Sequence, residues 1–127
     1  MDEYELGHVI AEREYSYADG GTLVIRIGAP QPFPEHTSYF CAYEWIDSGK
    51  VRTSRAGGVD AIQALQIVLN MIAVDLYVFN ESKNNTIRWE DADEGDICLD
   101  LPPYFLKLIE EDSLKKTSGK RKSLKGK

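Results

Sequence analysis

Apolar and polar residues alternate through the first half of the chain, and a period of two marks strands that bury one face. Residues 8–17 form the first such stretch, and residues 22–27 the second, with Leu23, Ile25 and Ile27 on one side. Between them, Ala18-Asp19-Gly20-Gly21 predicts a turn, because glycine accepts positive φ without steric cost. Pro30, Pro32 and Pro34 are expected to break the ladder, since proline has no N–H to donate. Residues 37–46 form the third stretch, where Tyr39, Cys41, Tyr43 and Trp45 alternate with Phe40, Ala42, Glu44 and Ile46. Asp47-Ser48-Gly49-Lys50 then turns the chain into a fourth strand over 51–56. Strands joined by turns this short predict an antiparallel meander.

The period then changes. Ile62, Leu65, Leu69, Ile72, Leu76 and Phe79 recur at spacings of three and four, which is one face of a helix, widened by Ala61, Ala64, Val68 and Met71. Asp60 stands where an N-cap is needed, with Gln63 three residues on as a capping-box partner. Asn84-Asn85 marks the exit, residues 86–89 suit a short strand, residues 90–96 form an acidic loop, and residues 97–101 are apolar and extended. Pro102-Pro103 opens a last short helix to about Asp112. The expected fold is α+β: an antiparallel β-meander of four or more strands packed on one long helix, with a short C-terminal helix. Residues 1–112 form one domain, and residues 113–127 a disordered Lys-rich tail that is too polar to bury a core of its own.

Charge sharpens this picture. The chain of 127 residues has a formal net charge of −6, yet all twenty-one Asp and Glu fall in residues 1–112 beside only eight Lys and Arg, so the body carries −13. The seven basic residues of the tail are unopposed. An acidic body repels nucleic acid and attracts basic partners. No apolar leader opens the chain, and the apolar stretch 61–79 contains Gln63, Gln66, Asn70 and Asp75, which a membrane span rarely carries. Two cysteines, Cys41 and Cys98, are too few for a secreted disulfide scaffold and read as core thiols in a reducing cytoplasm.

The run Tyr43-Glu-Trp-Ile, Arg55, and then Gly58-Val59-Asp60-Ala61-Ile62-Gln63-Ala64-Leu65-Gln66 resembles a family of small uncharacterised bacterial proteins. In that family a short meander precedes a helix opening on Gly-x-Asp-x-x-Gln-Ala-Leu. The resemblance covers about half of the chain and implies a bacterial cytoplasmic setting, where small acidic domains include toxin-neutralising immunity proteins. It carries over no catalytic residue.

The chemistry-bearing residues point to binding rather than to catalysis. His8 and His36 are the only histidines, and the spacing of His36, Cys41 and Cys98 matches no zinc pattern. No nucleophile elbow or phosphate loop occurs. In the acidic loop, Glu90, Asp91, Asp93, Glu94 and Asp96 cluster, but a calcium-loop register from Asp91 places Gly95 fifth instead of sixth. We therefore expect no catalytic residue, no metal and no cofactor. The expected partner-binding residues are those five carboxylates, which would meet Lys and Arg of a basic protein, and Tyr39, Tyr43 and Trp45, if the aromatic side of the sheet is exposed. The expected function is that of an immunity protein masking a basic toxin domain, such as a nuclease. The alternative is a small nucleic-acid-associated or regulatory accessory protein acting through its basic tail.

Overall fold

A computed structural model describes residues 5–35 and 37–125, with side chains described as far as residue 114. Its elements are β1 (Val9–Ser16), β2 (Thr22–Gly28), β3 (Gln31–Pro32), β4 (Tyr39–Asp47), β5 (Lys50–Gly58), α1 (Ala61–Ser82) and α2 (Pro103–Lys125). All strand pairs are antiparallel, and the chain forms the expected α+β meander beside one long helix. The hairpin between β4 and β5 is tight: Asp47 faces Lys50 across Ser48 and Gly49, both with positive φ, as a twisted two-residue turn requires.

The proline-rich segment departs from expectation. The chain does not leave the sheet at Pro30. Gly28, Ala29 and Pro30 stand against only Cys41 and Ala42 of β4, a one-residue bulge, and Gln31 and Pro32 then rejoin the same edge of β4 that β2 occupies, opposite Phe40 and Tyr39. Proline is tolerated at a bulge and at the end of a strand, where a missing donor costs little.

α1 packs on one face of the sheet. Its opening accounts for the Gly, Asp, Gln and Ala of the Gly-x-Asp-x-x-Gln-Ala-Leu motif. The Asp60 carboxylate accepts from the Gln63 N–H at 2.8 Å, and the Gln63 amide oxygen accepts from the Val59 N–H at 2.7 Å. The return bond therefore reaches one residue beyond the usual capping box. A Cβ on Gly58 would lie 2.4 Å from the Ala64 nitrogen, so only glycine lets the helix close on β5 here. Ala64 is fully buried in that contact.

The buried side of α1 is rotated from the predicted stripe. Ala64, Val68, Ile72, Ala73, Leu76 and Asn80 are buried, whereas Ile62 is 69% and Leu69 40% exposed. All of these but Ala73 follow an i, i+4 row, the line along which a helix crosses a twisted sheet, and small Ala64 permits close approach at Gly58. Tyr15, Tyr17, Leu23, Ile25, Ile27, Cys41, Tyr43 and Trp45 meet that row from the sheet. Each fully buried large side chain contributes roughly 1.5–3 kcal/mol. By length and composition α1 is apolar enough to cross a membrane, but its buried row packs on the sheet, which makes it the core helix of the domain.

α2 leans on α1 through Phe105, which meets Tyr77 edge to face at 5.4 Å. Its backbone is helical to Lys125, past Ser113, where the sequence places the start of the tail. The side chains that would define a basic tail, from residue 115 onward, lie outside the described residues.

Candidate protein-binding surface

The acidic segment leaves α1 at a buried polar anchor. Asn80 is the one buried polar side chain of the described core. Its amide donates to the Gly95 carbonyl at 2.9 Å, and its oxygen accepts from the Ile87 N–H at 3.3 Å. Gly95, with φ +88, in turn donates its N–H to the Ile87 carbonyl at 2.9 Å. A Cβ there would lie 2.9 Å from the Asn85 carbonyl oxygen, so the loop closes only on glycine.

The predicted short strand over 86–89 is a single bridge: Ser16 and Arg88 exchange both backbone bonds, at 2.9 and 2.8 Å. Beyond it, β1 grips the chain a second time. The Tyr15 hydroxyl donates to the Ile97 carbonyl, and the Arg13 guanidinium donates to the Cys98 carbonyl at 2.9 Å while lying 4.2 Å over the Trp89 ring. Burial, partly opposed by Arg13, raises the Tyr15 phenol above its ordinary pKa and keeps it a donor.

Between these anchors Glu90, Asp91, Asp93, Glu94 and Asp96 are all exposed. The Asp96 carboxylate accepts from the Cys98 N–H at 2.9 Å. The outward side of β1 adds two carboxylates that sequence reasoning did not single out. Glu12 and Glu14 alternate with the inward Arg13 and Tyr15, and together with Arg88 and Glu90 they flank a cleft of about 500 Å³. The signal for them was present, since both occupy polar positions of the first alternating stretch. What the sequence does not reveal is that residue 88 docks beside them. Glu12 is bound to Arg26, which also reaches Glu44, each at 3.1 Å.

The aromatic half of the expected surface is not a surface. Tyr43 is 0% and Trp45 6% exposed, and half-buried Tyr39 packs against the same core. All three lie on the face that α1 covers, where the Phe79 ring meets Trp45 and Tyr17 edge to face at 5.5 and 5.6 Å. The Tyr43 hydroxyl is spent internally, donating to Asp75 of α1 at 2.7 Å, and Arg52 reaches the same carboxylate at 3.6 Å.

The cysteines differ from one another. Cys41 is buried and donates to the Gly28 carbonyl, and burial raises its thiol pKa. Cys98 is half-buried on the loop at φ +56, and both thiols are free. Among the described residues, no group of three or more His, Cys, Asp or Glu side chains is placed to hold a metal ion. An apolar cavity of about 170 Å³ lies under Arg13, between Tyr15, Ile25, Leu69 and Leu99. It is smaller than the clefts that enclose most small-molecule ligands.

These features define an α+β domain with a single helix on one sheet face and an anchored acidic loop beside one sheet edge. Residues 11–100, from within β1 to just past that loop, match the family described as Domain of unknown function (DUF6968), and the chain belongs to it. No curated protein and no solved structure matches the chain.

Proposed function

We propose that this domain is a non-enzymatic binding protein whose acidic side masks a basic protein surface, as an immunity protein masks a toxin domain in the bacterial cytoplasm. The observation that supports this most is that Asn80, Arg13 and Tyr15 pin the loop bearing five exposed carboxylates, 90–96, whose first, Glu90, lines a cleft with Glu12 and Glu14. A loop fixed before binding loses little conformational entropy on association, and a single-sign field speeds encounter with a surface of opposite sign. A nuclease surface is basic because it holds phosphate, so an acidic domain of this kind excludes the substrate by occupying its place.

The test is survival. Cells expressing the protein encoded by the adjacent gene are expected to grow when this chain is co-expressed, and to lose protection when Glu90, Asp91, Asp93, Glu94 and Asp96 are replaced together by Gln and Asn. Absence of protection, together with nucleic-acid binding that disappears on deletion of residues 113–127, would instead support the accessory-protein reading.

A further inference from the structure

We propose that the outer edge of β1 receives an extended basic segment of the partner as an added antiparallel strand, continuing a ladder that Arg88 begins. This rests on the masking function above and states how the partner is held. Ser16 and Arg88 exchange both backbone bonds on the side of β1 away from β2. Backbone groups of alternate residues in an antiparallel strand point to the same edge. The Tyr17 N–H, bonded to the Gly21 carbonyl at 3.1 Å, shows that odd-numbered residues turn the other way, toward the β2 side. Glu14 and Glu12 therefore aim their N–H and C=O groups outward, in line with Ser16.

The chain after Arg88 does not cover them. Trp89 is held aside under Arg13, and Glu90 adopts φ +47, which turns the backbone out of the ladder. Among the described residues no backbone group bonds to Glu12 or Glu14 on this side. The space beyond is the cleft of about 500 Å³. Unpaired edges of this kind template strand addition.

Charge selects the occupant. Residues directly opposite in an antiparallel pair present their side chains on the same face. A segment paired with Glu12 and Glu14 thus meets both carboxylates with its own bonded residues, and Glu90 stands at the cleft end. A second copy pairing β1 with β1 across a two-fold axis would oppose glutamates to glutamates, which is destabilising. Lys or Arg at alternate positions complements them. The competing occupant is β5 of another copy, a strand that carries Lys50, Arg52 and Arg55 and contains no Asp or Glu.

The experiment uses the full chain and a short peptide alternating Lys and Val, with backbone exchange at Glu12 and Glu14 followed by NMR. Both amides are expected to become protected. N-methylation of the Lys residues, whose N–H groups form the ladder, is expected to weaken binding about tenfold or more, whereas N-methylation of the Val residues leaves it nearly unchanged. The Glu12→Gln, Glu14→Gln double variant is expected to bind more weakly with an unaltered melting temperature. Equal affinity of the two methylated peptides, or no protection at Glu12 and Glu14, overturns the proposal. So does concentration-dependent assembly that protects β5 amides together with those of β1, which assigns the edge to a second copy. A peptide that fails while the adjacent-gene product still binds through 90–96 removes this inference and leaves the masking function standing.

Discussion

The Asn80 side chain and the Gly95 backbone carbonyl meet at 2.9 Å, and through that bond the buried end of α1 holds the acidic loop. Asn80→Ala leaves the Gly95 carbonyl and the Ile87 N–H without their side-chain partner. The expected cost is about 1–3 kcal/mol. Urea unfolding measures it, and faster amide exchange across 86–97 is expected to accompany it.

The core face of α1 gives a graded prediction. Leu76 is fully buried, and Leu76→Ala is expected to cost about 2–5 kcal/mol. Leu69→Ala is expected to cost less, because much of that side chain is already in water, and Ile62→Ser is expected to stay within about 0.5 kcal/mol. Asp60→Ala removes the cap and is expected to cost about 0.5–2 kcal/mol. Chemical denaturation of the four variants checks the order.

The gap between the predicted and observed helix faces shows what the pattern contains. Apolar spacing established that a helix spans these residues and that Asp60 caps it, because both are local. It could not choose between the Ile62–Leu69 side and the Ala64–Val68 side, since both are apolar and only the close approach at Gly58 decides. The same limit applies to Tyr43 and Trp45: alternation put them on one face, but which face receives α1 is a tertiary fact. The acidic loop was legible as a run of carboxylates. Its position beside Glu12 and Glu14 was not, because the Ser16–Arg88 bridge joins residues far apart in the chain.

Alkaline pH provides an independent check on the core. Tyr15 and Tyr43 are raised above the ordinary phenol pKa mainly by burial, and Tyr17 mainly by its hydrogen bond to Asp47. The folded state thus favours the neutral phenols. Their contribution is complete below the unfolded value of 10.0 and is lost as pH rises through the higher folded values. Stability is expected to fall with increasing pH above about 10, and Tyr43→Phe to flatten that fall. Urea midpoints measured across this range test it.

The thiols are expected to separate kinetically. Cys41, buried and bonded to Gly28, should resist a thiol reagent in the folded state, whereas half-buried Cys98 should react first. Counting modified thiols before and after unfolding gives the answer. Equal rates in the folded protein would place Cys41 at the surface.

The proposed masking function rests on the exposed carboxylates between Glu90 and Asp96, and the most direct measurement is the rate of association with a cognate basic toxin domain at increasing salt. Exposed charges are screened over a Debye length of about 10 Å at about 0.1 M. The intact chain is expected to associate fast at low salt and progressively more slowly as salt rises. The variant with all five carboxylates neutralised is expected to associate slowly throughout, with dissociation little changed. Association rates that are the same for both proteins at every salt concentration would contradict the account.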